Sequence, residues 1–241
     1  MSIWGKILGG AAGFALGGPI GALVGGVLGH AVDRMRVEED PGDGTKQVAF
    51  TIGVIVLGAK MAKADGVVTP DEVVAFKEVF QVPPEEMKNV GRVFDQARRD
   101  AEGYQPYARQ IAGIFRNNPA VLEDLLDGLF HIAKADSILH PKELEFLEAV
   151  ATIFGFGEAE WRRIKEGHLG PDLADPYTVL GVAHDVGDDE LKRVYRKLVR
   201  EHHPDRLIAQ GMPQEFIDVA NDKLAAINSA YDRVARQRGL S

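Results

Sequence analysis

The sequence contains no cysteine, so disulfides, thiolate metal sites and a cysteine nucleophile are excluded, and a reducing compartment is permitted. Catalytic signatures are missing as well. There is no P-loop, no GxSxG, no HExxH and no triad spacing among the seven histidines. The glycines near the N-terminus follow no strand pattern and lack the lysine that a phosphate loop needs. Neither an enzyme nor a cofactor is expected. An excess of positive charge is absent too: the net charge is −8, against the basic surface on which nucleic-acid binding depends. What remains is a composition of globular type, 45% hydrophobic and 27% charged over 241 residues, enough for one large core or two smaller ones.

Charge is also missing locally. From Ile7 to Val32 no residue is charged. As a helix that run measures about 39 Å at ~1.5 Å per residue, longer than the ~30 Å hydrocarbon core of a bilayer. Trp4 and Lys6 flank one end, Arg34 and Arg36 the other. A cleaved signal peptide fits worse, because the apolar run is too long and one lysine precedes it. The expectation is an uncleaved single span with its flanks over 1–36. The alternative is a glycine-rich apolar hairpin, broken at Gly18-Pro19, that lies on the membrane or packs on the soluble part. Gly5, Gly9, Gly13, Gly17, Gly21, Gly25 and Gly29 recur every four residues. On a helix they form one stripe where two backbones can approach, which makes Gly9, Gly13, Gly17, Gly21 and Gly25 candidates for self-association. Arg34, Arg36 and Lys46 after the span outweigh Lys6 before it, a bias toward a cytoplasmic C-terminal side.

Pro41-Gly42-Asp43-Gly44 breaks the chain, and a linker is expected over 37–45. Residues 46–168 carry helical periodicity throughout and no convincing period-two strand. Leu122, Leu125, Leu129 and Ile132, for example, fall on one helix face. Breaks at Asp65-Gly66, Pro83-Pro84, Gly103, Asn117-Asn118-Pro119, Ser137 and Gly155-Phe156-Gly157 divide the region into six or seven short helices. Two stretches repeat at an offset of 71, MAKADGVVTPDEV from Met61 and IAKADSILHPKEL from Ile132. Thr69 and His140 then stand at helix N-caps, Pro70 and Pro141 at the first helical position, and Glu72 and Glu143 three residues after the cap. The competing reading makes Asp65, Glu72, Asp136 and Glu143 oxygen ligands for a divalent cation, although the dense ligand run of an EF-hand is missing. The repeated pattern resembles the TerB-like helical domain. That resemblance implies a compact helical module with acidic surface residues for metal or partner binding, and no known reaction.

A short linker over 169–174 leads to the last region, 175–241. PYTVLGV from Pro176 reads as a brief helix closed by Gly181. A helix from about Asp188 to Glu201 follows. Its apolar face holds Leu191, Val194, Tyr195, Leu198 and Val199; its opposite face holds Lys192, Arg193, Arg196, Lys197 and Arg200. Next comes His202-His203-Pro204-Asp205-Arg206, then a last helix over about 214–236 with Phe216, Val219, Leu224, Ile227 and Tyr231 on its apolar face. The order and spacing resemble a three-helix J-domain, with His203, Pro204 and Asp205 matching the family's HPD tripeptide. Pro204 cannot continue a helix and biases His203 away from helical geometry, so His203 and Asp205 should project from a loop between two packed helices. Five basic residues beside it can steer the region onto an acidic partner. The resemblance implies that this face docks on a DnaK-type chaperone and promotes its ATP hydrolysis. His140-Pro141-Lys142 lacks the aspartate and the preceding basic helix.

The whole order, a glycine-rich span opening IWGKILG, a TerB-like middle and a terminal J-domain without glycine/phenylalanine or zinc modules, resembles the DjlA type of membrane-anchored co-chaperone. That likeness implies a single-pass protein of the bacterial inner membrane with both soluble domains in the cytoplasm, a homodimer through the span, and a link to envelope-stress signalling. The other functional reading is a stress sensor or scaffold that binds a metal or partner through the TerB-like domain.

Overall fold

A computed structural model of the chain describes residues 17–28, 43–65, 84, 87–99, 103–134, 139–170, 173–210, 212–213 and 216–240. Eleven helices and no strand occur among them: α1 (Gly18–Leu28), α2 (Asp43–Asp65), α3 (Met87–Arg99), α4 (Gln105–Ile114), α5 (Pro119–Ala133), α6 (Pro141–Phe154), α7 (Glu158–Gly167), α8 (Pro176–Leu180), α9 (Asp188–Glu201), α10 (Pro204–Ala209) and α11 (Ile217–Arg238). The all-α expectation holds.

Helix α2 is the axis of the middle bundle. Residues Gly44–Ala62 are long and apolar enough to cross a membrane, yet 83% of that window is buried among neighbouring helices, the position of a core element. Helices α3, α4, α5 and α6 all pack on it. Phe50 meets Phe115 edge-on with ring centroids 6.2 Å apart, a favourable arrangement of the two ring quadrupoles. Prolines at the starts of α4, α5 and α6 mark where the chain re-enters helix, as a residue lacking an N–H does at no cost in the first turn. Gly155 closes α6 at φ 92°.

Two expectations change. The breaker cluster at 41–44 does not keep Asp43, Gly44 and Thr45 out of helix, since α2 begins at Asp43. First-turn N–H groups have no intrahelical partner anyway, so a glycine there costs little. The uncharged segment is likewise not one helix from Ile7 to Val32. Gly17 and Gly18 adopt φ 53° and 56°, and α1 starts at Gly18 with Pro19 in its first turn. Glycine tolerates the left-handed region, and the proline ring could not follow a preceding helical turn. The break anticipated at Gly18-Pro19 is therefore present. From there α1 lies on the bundle, against α2, α3 and α4. Ile20 and Leu23 are buried, and Gln110 ties the turn by accepting the Ile20 N–H at 2.9 Å and donating to the Gly17 carbonyl at 3.0 Å.

The C-terminal helices build a second core from Tyr177, Val179, Leu180, Leu191, Leu198, Ile227, Ala230 and Val234. The two cores are not cleanly separated. Leu207, Met212, Phe216 and Ala220 belong to the middle bundle's core, where the Phe216 ring packs on Phe50 at 4.6 Å. The expected single apolar face of the last helix is thus divided: Phe216 and Ala220 face one core, Ile227 and Val234 the other.

Candidate functional site

Helix α8 is set by Asp175, whose carboxylate accepts the Thr178 N–H at 3.0 Å and the Thr178 hydroxyl at 2.6 Å. Gly181 ends it at φ 68°. Helices α8 and α11 pack together, and α9 lies on both. Tyr195 of α9 stacks on Tyr231 of α11 at 4.0 Å, and its hydroxyl donates to Asn228 at 3.0 Å. Arg238 fastens the end of α11, donating to the Val186 carbonyl, to the Tyr177 hydroxyl and to Asp188. These contacts hold α9 in one rotational setting. Its Leu191 and Leu198 are buried, while Arg193, Arg196, Lys197 and Arg200 are exposed and Lys192 is half-buried. Arg193 pairs with Glu190 on the same helix, and Lys197 lies 4.0 Å from Glu201.

The tripeptide lies just beyond α9 and is more ordered than a loop. His203 is the N-cap of α10, with extended backbone at φ −68° and ψ 128°. Pro204 occupies the first helical position, where its fixed φ and missing N–H are suited to the turn. The His203 ring accepts the Asp205 N–H through Nδ1 at 3.2 Å. Side chains of His203 and Asp205 are 52% and 88% exposed, whereas Pro204 is buried. Histidine and aspartate are thus presented outward from a capped helix start beside the basic face.

The other candidates are distributed differently. Gly9 and Gly13 lie outside the described residues. Gly17 precedes α1, and Gly21 and Gly25 lie within it, with Gly21 buried in the protein's own fold. Glu72 and Asp136 are outside the described residues, and of Asp65 only the backbone, at the end of α2, is described. Glu143 is buried and accepts the His140 N–H at 3.0 Å, the capping role of the repeat.

One cluster was not anticipated. Three carboxylates of α5, Glu123, Asp124 and Asp127, are buried in the interior. Lys223 of α11 reaches Glu123 and Asp127, both at 2.5 Å, and Arg163 of α7 grips Glu123. His202 lies 3.6 Å from Asp124 and 3.7 Å from Glu123. Burial pushes the Asp124 carboxyl up from its ordinary range. Burial acts most strongly on Glu123 and Asp127 too, but the Lys223 ammonium together with Arg163 at Glu123, and with the His168 hydrogen bond at Asp127, outweighs it and both are held low. The signal was available: three acids in a helix whose other residues are almost all apolar.

Residues 175–237 match the family model of the DnaJ domain, so the α8–α11 unit with its outward histidine and aspartate is a J-domain and the chain is a J-domain protein. Residues 51–166 match tellurite resistance protein TerB, and residues 1–48 match the co-chaperone DjlA transmembrane domain. The co-chaperone protein DjlA of Photobacterium profundum is 33% identical, covering 99% of this chain and 100% of that protein. Those of Shewanella oneidensis and Aliivibrio fischeri are 30% and 29% identical over the full length of both chains. The chain belongs to the DjlA family of co-chaperones. No solved structure matches it.

Proposed function

We propose that the protein is a membrane-anchored activator of a DnaK-type chaperone. Its α9 face, Lys192, Arg193, Arg196, Lys197 and Arg200, docks on the chaperone's ATPase domain, and His203, Pro204 and Asp205 promote hydrolysis there. The chain performs no catalysis of its own. The observation that carries this reading is the exposed His203 and Asp205 side chains on a capped, buried proline, next to a cationic helix face. A fixed corner of this kind meets its partner without first paying to order a loop. A membrane-anchoring N-terminal segment precedes the TerB-like bundle, which takes in α2 from Asp43, and the J-domain over 175–241, with both soluble domains on the cytoplasmic side of the bacterial inner membrane. Signalling of envelope stress would act through this same co-chaperone activity.

Stimulation of a DnaK-type ATPase by the full chain in nanodiscs tests the reading. The full chain is required because a fragment beginning near residue 170 would expose Leu207, Met212 and Phe216, which the middle bundle covers. Homodimerisation through Gly9 and Gly13 is part of the proposal, Gly17 standing at the turn before α1 and Gly21 being buried in the fold. Gly9→Leu with Gly13→Leu should abolish self-association in a membrane reporter assay, and unchanged association would remove that part. Gly17 is a poorer position for the test, since a leucine at φ 53° strains the backbone for an unrelated reason.

A further inference from the structure

The buried acids of α5 are a shared boundary between the TerB-like bundle and the J-domain. Glu123, Asp124 and Asp127 come from the bundle; Lys223 and His202 come from the J-domain, His202 being the residue directly before the tripeptide. Lys223 is 10% exposed, His202 3% and Asp124 0% by side chain, so the charged contact is buried. Around it, Leu207, Met212, Phe216 and Ala220 insert into the bundle's core. We propose that α5 is an acidic receptor for the chain's own J-domain, a clasp that closes with one proton held on the buried Asp124, which faces His202.

Charge balance and orphaned atoms both single out Asp124. Three carboxylates face two permanent cations, Lys223 and Arg163. His168, from the end of α7, bonds Asp127 at 2.8 Å and stacks on Phe130, but it belongs to the bundle and is present whether or not the J-domain is docked. Both Asp124 oxygens and His202 Nδ1 lack a hydrogen-bond partner among the described residues, although the two side chains are 3.6 Å apart. A bare Asp124 carboxylate, buried with both oxygens unpartnered, would be an expensive arrangement, and a proton on it removes the charge. When the domains part, the carboxyl returns to water, where it is ionised near neutral pH. Closing the clasp therefore takes up a proton. A cleft of about 600 Å³ between the domains is lined in part by Glu123, Arg163 and His202.

The sign follows from linkage. A group whose affinity for a proton is higher in the docked state favours docking at low pH and disfavours it as pH rises. The raised Asp124 carboxyl has that sense. Glu123 and Asp127, held low, act oppositely and matter only below about pH 4. As pH rises above the ordinary carboxyl range, the clasp should loosen.

Amide hydrogen exchange on the full chain in nanodiscs measures this without reference to any chaperone, so its outcome is separate from that of the ATPase assay. Exchange is corrected for its intrinsic pH dependence. Between about pH 5 and 8, protection over residues 217–223 should fall by about fivefold or more, since one linked proton permits up to about tenfold per pH unit. Leu191 and Ile227, in the J-domain's own core, should stay protected. Asp124→Asn, a neutral side chain of the same shape, should remove the pH dependence. Protection that is flat with pH in the natural chain, a slope that survives in Asp124→Asn, or loosening of Leu191 and Ile227 in step with 217–223 would each overturn the proposal.

Discussion

Phe216 illustrates how far one side chain's role depends on what lies outside its own segment. It is fully buried between the rings and aliphatic groups of the bundle although it precedes the last helix of the J-domain. Phe216→Ala should cost about 3–5 kcal/mol, from lost transfer energy and the cavity left beside Phe50. Chemical denaturation of the full chain would measure it, and a cost near zero would place the ring in water. Gly181 is a second residue with a sharp expectation. Its φ is 68°, and a Cβ there would come within 2.9 Å of the Arg163 side chain. Gly181→Ala should therefore destabilise by about 1–2 kcal/mol, read as a lowered midpoint of thermal unfolding. The tripeptide was legible at this scale because Pro204 restricts its neighbour. The N-cap geometry was not, because α10 is stabilised by contacts of Pro204 and Leu207 that lie elsewhere in the chain.

Among the elements, α9 was the most legible. Its acidic first turn, amphipathic spacing and break before the tripeptide all agree, and the helix runs from Asp188 to Glu201. Gly18-Pro19 points to the break in the apolar N-terminal segment, whereas hydropathy and length alone predict a continuous rod because neither registers backbone conformation. Gly17, Gly18 and Pro19 together decide against it. Helix α5 was read from Leu122, Leu125, Leu129 and Ile132 as one-sided, whereas it is buried on nearly every side. Acids on its remaining face look like solvated positions until the partner carrying Lys223 is in place. For α9, reversing two exposed charges, Arg196→Glu with Arg200→Glu, should weaken productive encounter with the chaperone by about tenfold at low salt and less at high salt. Binding kinetics at two ionic strengths would show it, and an effect independent of salt would argue against electrostatic docking.

At the scale of the molecule, the family's three segments occur in order, but they do not behave as beads on a string. Helix α1 lies on the TerB-like bundle, and the J-domain gives it four apolar residues and a buried cation. Lys223→Met should cost about 3–5 kcal/mol, because the three carboxylates would stay buried with one cation fewer. Comparison with Lys223→Met in an Asp127→Asn background should recover part of that loss. The recovery separates charge from volume, and its absence would contradict the electrostatic account.

The central claim, that the outward corner of the J-domain drives another protein's ATP turnover, is tested most directly by one comparison. Steady-state ATPase of a DnaK-type chaperone is measured with the natural full chain and with His203→Gln, both in nanodiscs. The account predicts clear stimulation by the natural chain and a loss of at least ~tenfold in that stimulation by the variant, about 1.4 kcal/mol in barrier height, with the fold unchanged. Equal stimulation by both chains, or none by the natural one, would contradict it.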